Sequence, residues 1–390
     1  MASPLANFKP VYIYCSLLGL TPPYSFPKKG LIKPQLCFKS VIALAILFVI
    51  GQYQKLSHLL QPESRYIQMD TCLNVIAYFG MVKVMFGMIN NKKQWKRFLQ
   101  NLDMVEEMLR PLVKRDSISS WKTTQNLLVK LLLQYTIVGY NFYIWSQIDP
   151  VFYATYRQII TFYNTTFIII LYELANMLHQ TIKDINTLLI TCPATVRVCR
   201  RVCFEVQRNM KTCNRVFSDI WGFYFILNWC YALIILDATY SAMILAGTDS
   251  IKVSAKVQYA FSYFVSIVIM LTMFYIMSKY SNCSKTFESI TTSCQDLLRV
   301  NVDITEEQME ELRDFIKQIE IKKLYFSISG VTNIDKKLII IYASNLMRYF
   351  IIHVQWLNQI NQESNVNFSV NVINAISVNH IDMNISKTLD

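Results

Sequence analysis

The chain has 390 residues, 53% of them apolar and 16% charged, where an ordinary soluble domain carries about 25% charge. Its 13% aromatic content excludes a disordered chain, and with 9 Gly, 10 Pro and no Pro/Gly/Ser-rich linker it reads as one continuous helical domain rather than several soluble ones. The net charge of +12 admits either nucleic acid or a membrane as partner, so its distribution along the chain has to decide.

Crossing about 30 Å of hydrocarbon takes about 20 largely apolar helical residues. The N-terminal stretch carries Pro22, Pro23 and Pro27 and no small-residue cleavage site, so no signal peptide is read and the first span serves as its own insertion signal. Residues 41–54 form that span, between Lys39 and Lys55. Residues 71–91 follow and contain Lys83. The segment from Asn91 to Trp121 is polar, with Trp95, Phe98, Leu102, Val105 and Leu109 on one helical face. Residues 131–148 and 257–278 are free of charge, whereas 158–182 contain Glu173 and 220–248 contain Asp237. Beyond them, residues 306–323 are strongly charged with an apolar stripe of Met309, Leu312, Ile316 and Ile319. The last apolar segment, 338–362, contains Arg348 and His353. Terminal Lys and Arg snorkel, and an ionisable group in mid-span is tolerated when it faces other helices or water. The seven segments lack the wide polar faces of a soluble bundle, and the chain reads as an all-α membrane protein with seven transmembrane helices.

Basic residues orient it. With the N-terminus in the cytosol, regions 1–39, 91–124, 180–217 and 279–337 lie inside and hold 29 of the 38 Lys and Arg. Lys55, Arg65, Arg157, Lys252, Lys256 and Lys387 lie outside, and Lys83, Lys130 and Arg348 lie in or beside spans. The positive-inside rule therefore predicts a cytosolic N-terminus and an extracellular C-terminus, which accounts for the basic charge without a nucleic-acid partner. Sequons at Asn367 and Asn384 fall in the external tail, where glycans can be added; those at Asn164 and Asn282 fall in a span and in the cytosol and should be bare.

No catalytic or cofactor motif is present. The Walker, dinucleotide, zincin and nucleophile-elbow patterns are missing, and His58, His179, His353 and His380 are scattered, so neither an enzyme nor a cofactor is expected. Cys192, Cys199, Cys203, Cys213, Cys283 and Cys294 fall in cytosolic regions, where thiols stay reduced, and Cys199 and Cys203 lack a second pair for a metal. Seven spans do not halve into the inverted repeats of many transporters.

The C-terminal run from Phe326 to Leu338, followed by Arg348-Tyr349 and, five residues on, Gln355-Trp356, resembles the last helix of insect gustatory receptors. That family's signature is T-Y, five mostly apolar residues, then Q-F. Tyr349, the spacing and Gln355 match; Arg348 stands for Thr and Trp356 for Phe. Leu18-Gly19-Leu20-Thr21-Pro22 is similar to the family's L-G-x-x-P element before its first helix. Insect odorant receptors share the architecture and remain the alternative, as does a seven-span receptor or transporter without conductance. Phe350 stands where the sugar-responding branch has Glu, which favours a bitter or other non-sugar tastant.

The resemblance implies a tetrameric, ligand-gated, non-selective cation channel, homomeric or heteromeric, in the plasma membrane. It implies six spans over 38–278, a cytosolic anchor helix over 306–335, a pore-lining helix over 336–360 and an extracellular tail over 361–390. At 100° per residue, Arg348, Ile352, Gln355 and Gln359 share one helical face within about 60°. On a pore, Ile352 would gate by dewetting and the Gln355 amides would replace part of an ion's hydration; otherwise Gln355 bonds to a neighbouring helix. Charged residues 306–323 suit an intersubunit helix or a connector packed on its own subunit. Pocket candidates in the other spans are Tyr78, Tyr140, Tyr143, Trp145, Tyr163, Asn164, Phe167, Asp237, Tyr240 and Phe264, an aromatic lining with a few polar anchors. Tyr143 and Trp145 suit an interfacial belt equally well. Asp237 in mid-span is costly unless it serves a partner or a cationic ligand.

Overall fold

Stretches free of Gly and Pro become long helices. The computed structural model describes residues 4–26, 30–31, 46, 65–113, 120–146, 151–245, 253–300, 304–321, 323–328, 332–334, 337–338, 340–352, 354–355 and 359. Its helices are α1 (Pro4–Leu17), α2 (Arg65–Asn90), α3 (Lys92–Leu109), α4 (Ser120–Ser146), α5 (Val151–Thr191), α6 (Val196–Val216), α7 (Ser218–Leu245), α8 (Val253–Val300) and α9 (Glu306–Ile321). A last apolar helix, α10, covers Ile340–Ile352. A 3-10 turn (Pro193–Thr195) joins α5 to α6, and there are two two-stranded hairpins among the described residues: β1 (Tyr24–Ser25) with β2 (Gly30–Leu31), and β3 (Ser327–Ile328) with β4 (Thr332–Asn333). The expected span at 41–54 lies outside the described residues except for Ile46, and the tail at 361–390 lies wholly outside them.

Helix α1 was not anticipated, because Pro10 sits inside it. Its signal was the spacing of Leu5, Phe8, Val11, Tyr12 and Cys15, all of which are buried. Gly19, at φ 77°, ends the helix in the left-handed conformation that glycine adopts without strain. The Leu20 amide reaches the Cys15 carbonyl at 2.9 Å and the Gly19 amide the Ser16 carbonyl at 3.2 Å, a Schellman closure. The Tyr12 hydroxyl then donates to the Pro22 carbonyl at 2.6 Å and Thr21 Oγ1 to the Tyr12 carbonyl at 3.2 Å. Leu18 to Pro22 is thus a clasp that folds the chain back over α1.

α5 and α8 form the spine and pack along each other. They run 41 and 48 residues with no Gly or Pro inside, about 60 and 70 Å at 1.5 Å per residue, roughly twice a bilayer core. Each therefore has an apolar part and a projecting part. α1 and α4 lie against α5; α7 lies against α8 and α2. Against the projecting parts pack α6 and α9, with α3 laid on α6; all three are amphipathic and too polar to face lipid. α3 buries Trp95, Phe98, Leu99, Leu102, Asp103, Val105 and Leu109, which includes the whole expected stripe. α9 buries Leu312, Phe315 and Ile319, so its stripe is turned toward Phe315, and Met309 and Ile316 are only half-buried. Trp95 is the hub of this layer, edge-on to Phe217 at 4.9 Å and to Phe98 at 6.1 Å; such pairs add about 0.5–1.5 kcal/mol beyond their burial. Arg200 of α6 binds Glu311 at 3.0 Å and Asp314 at 3.2 Å, tying α6 to α9.

Candidate pore helix and buried polar groups

Among the described residues α10 is anchored on one side. Tyr342 is buried, with its ring edge-on to Phe225 and Trp229 of α7 at 5.1 and 5.0 Å and to Phe274 of α8 at 5.6 Å. Leu338 is buried with it, and Leu346, Tyr349 and Phe350 are half-buried. The face bearing Arg348, Ile352, Gln355 and Gln359 is centred about 110° around the helix from Tyr342. All four side chains are exposed on the single chain, Ile352 at 64%. Ile341, Met347 and Ile351, also exposed, extend the apolar part of that surface. No described acidic group lies within ion-pair distance of Arg348. Trp356, His353 and Asp335 lie outside the described residues.

The pocket candidates are distributed unevenly. Tyr163, Asn164 and Phe167 lie buried on α5. The Tyr163 hydroxyl donates to the Leu18 carbonyl at 3.2 Å, and Phe167 packs edge-on against Phe223 at 5.7 Å. Asn164 is fully buried, and among the described residues neither its amide nitrogen nor its amide oxygen has a hydrogen-bond partner. Leaving one such group unpaired costs about 1–3 kcal/mol, so Asn164 is a polar position waiting for a partner. Tyr78 is half-buried on α2, while Tyr140 and Tyr143 point outward from α4. Asp237 and Tyr240 on α7, Phe264 on α8 and Trp145 on α4 occupy helical positions whose side chains lie outside the described residues.

Sequence reasoning missed the polar groups that join the spans. Gln134 of α4 donates to Thr166 Oγ1 at 2.7 Å and to the Phe162 carbonyl at 3.0 Å, and it accepts from the Tyr14 hydroxyl at 3.1 Å. Asn141 donates to Gln158 at 2.9 Å. Lys130 of α4 pairs with the buried Glu173 of α5, while Lys279 of α8 donates to Asn176 at 2.7 Å and lies 5.1 Å from the centre of the Tyr172 ring. The available signal was two opposite charges, Lys130 and Glu173, interrupting successive apolar segments.

In the projecting layer burial acts on thiols. It pushes Cys199 up to about 11 and Cys294 up to about 12, and it raises Cys203 well above the ordinary thiol range, with the neighbouring thiols adding to the effect. These cysteines are neutral packing groups at physiological pH. Among the described residues no cluster of His, Cys, Asp and Glu has metal-binding geometry.

The chain matches the family described as 7tm chemosensory receptor over residues 8–357. The chain belongs to that family. Two solved structures share the fold of this chemosensory receptor. The insect olfactory receptor OR5 from Machilis hrabei superposes with a TM-score of 0.63 at 10% identity, over 89% of this chain and 97% of that one. The same receptor in complex with eugenol gives 0.55 at 11% identity with the same coverage. No curated protein matches the receptor. Its fold is accordingly the seven-transmembrane chemoreceptor fold. Among the described residues, Gln158–Thr191 of α5 is long and apolar enough to cross a membrane by itself, and Val75–Gly87 and Ile340–Ile352 form shorter apolar helices.

Proposed function

We propose that this receptor is a gustatory, ligand-gated, non-selective cation channel subunit of the plasma membrane, opened by a non-sugar tastant. It works as a homotetramer or with related subunits, its N-terminus is cytosolic, and residues 361–390 form an extracellular tail. Residues 306–335 anchor the subunits in the cytosol and residues 336–360 line a shared pore. The observation that carries this reading is the two-sided character of α10: aromatic contacts hold one side through Tyr342, and the adjacent face presents Arg348, Ile352, Gln355 and Gln359 to whatever lies beyond the chain. Four such faces around an axis give an apolar constriction flanked by amides, a workable cation path. The gustatory assignment is supported by Tyr349 and Gln355 at motif spacing, and the non-sugar assignment by Phe350. Asn164 serves as a polar anchor for the ligand among the aromatic residues of α5.

The test is current recording from cells expressing this chain alone and with related subunits, against panels of bitter compounds, sugars and odorants. A cation current evoked by a bitter compound supports the proposal. Responses to odorants alone move the protein to the odorant branch, and surface-expressed protein that signals without conductance overturns the channel.

A further inference from the structure

A groove of about 1280 Å³ lies between the second half of α6 and the segment that follows α9. Arg208, Lys211 and Arg215 line one wall from a single face of α6, spaced by three and four residues, and Lys323 faces them from the other wall. Glu320 is the single acidic residue of the lining among the described residues. Arg208, itself exposed, makes one long ion pair at 3.8 Å with the largely buried Glu205, which leaves most of its guanidinium free for another anion. Lys211, Arg215 and Lys323 have no ion-pair partner among the described residues. The walls are held in place. Asn214 donates to the Tyr325 carbonyl at 3.0 Å and accepts from the Ser327 amide at 3.3 Å, Gln318 donates to Gln207 at 3.1 Å, and Phe326 packs edge-on to Tyr280 at 4.4 Å. Four cations held around a rigid cleft repel one another and gain most from a compact, multiply charged anion.

The floor of the groove is the start of α7, where Ser218 contributes to the lining and the apolar run begins two residues later. On the topology proposed above, this places the cleft at the depth of lipid headgroups. We propose that it binds a polyphosphorylated inositol headgroup, so that the packing of α6 against α9 responds to the anion that fills it. Basic pockets at the cytosolic ends of transmembrane helices suit such headgroups. The inner-leaflet source of the ligand rests on the orientation proposed above; the charge of the groove does not.

The test uses the full-length receptor purified in detergent and thermophoresis with three probes: dioctanoyl phosphatidylinositol bisphosphate, inositol trisphosphate, and dioctanoyl phosphatidylcholine as the uncharged reference. Saturable binding of the bisphosphate lipid but not of the phosphatidylcholine is expected. Combined Lys211→Gln, Arg215→Gln and Lys323→Gln should weaken it by at least about tenfold. Lys93→Gln, Lys96→Gln and Arg97→Gln on α3, which remove equal charge from another exposed surface, should leave it unchanged. Trisphosphate binding equal to that of the lipid supports the groove with a soluble polyphosphate as its ligand, and much tighter lipid binding supports it with a membrane ligand. Absence of binding by both phosphorylated probes overturns the proposal, as does a groove variant that binds like the parent or an α3 variant that loses as much. A groove variant whose particle size changes while that of the α3 variant does not also overturns it, in favour of a contact between subunits. Because detergent samples have no sides, a reversed topology in cells would overturn the orientation and leave the groove result standing.

Discussion

Arg348 stands where the family motif has Thr, and its side chain is exposed on the same face as Ile352. A mid-helix Arg costs about 2.5–3.5 kcal/mol against lipid, so water is its proper surrounding. On a pore face it makes a positive ring one turn below Ile352, toward the cytosolic mouth, which opposes cation entry and is only partly screened over about 8 Å at physiological salt. Arg348→Thr should therefore raise single-channel conductance at equal surface expression; unchanged conductance and cation permeability would remove Arg348 from the pore face. Glu173 makes a different demand. Glu173→Gln leaves Lys130 charged and partly buried, and breaking a buried pair from one side costs about 3–5 kcal/mol. The melting temperature in detergent should drop clearly, and adding Lys130→Met should restore much of it. For the thiols the sign follows from burial. Unfolded cysteines release their protons near about 8.5, whereas Cys199 and Cys294 hold theirs to about 11 and about 12. Their contribution is complete below the unfolded value and is lost as pH rises through the folded ones. Maleimide at pH near about 8 should tag the exposed Cys192 and spare Cys199, Cys203 and Cys213, as peptide mapping would report.

Where α2 crosses α7 the contact depends on two missing side chains. A Cβ on Gly80 would fall 1.9 Å from the Phe223 ring, and one on Gly87 would fall 2.3 Å from the Asp219 carboxylate. Seven residues apart, the two glycines share a face and let the helices approach closely, the usual device between membrane helices. Gly80→Ala should lower the melting temperature and surface yield, and Phe223→Leu should partly rescue it, with size-exclusion profile and surface biotinylation as readouts. Sequence periodicity foresaw α3 residue by residue, because an amphipathic helix between water and a core shows its buried face in composition. It turned the α9 stripe by about 50°, since Phe315, Met309 and Ile316 are all apolar and the positions of α8 and α6 select among them. Helices that are apolar nearly all round, such as α4 and α5, carry no such stripe, so the polar links between them at Gln134, Asn141 and Lys130 were invisible one segment at a time. The face shared by Arg348, Ile352, Gln355 and Gln359 followed from helical spacing alone, whereas the unpaired state of Asn164 depends on neighbours that no local pattern names.

For the whole receptor, the asymmetry of 29 basic residues against six predicts that a tag at Asp390 is reached by antibody on intact cells and one at Met1 only after permeabilisation. The purified receptor should run as four subunits, and a functional monomer would end the shared-pore reading. The projecting layer of α3, α6 and α9 is joined by the Arg200 contacts and the Trp95 hub, while the apolar half relies on apolar packing, a few amides and the buried Lys130–Glu173 pair. The two halves are joined by both spine helices, and the longer, α8, runs 48 residues with neither Gly nor Pro to kink it. Such a rod is a lever arm. A tilt of about 5° about one end carries the other end through about 6 Å, more than the rise of a full helical turn. An angular change too small to open a visible gap at one end of the receptor would thus be a large sideways stroke at the other, and the stiffness of α8, rather than any single contact along it, sets how faithfully the stroke is delivered.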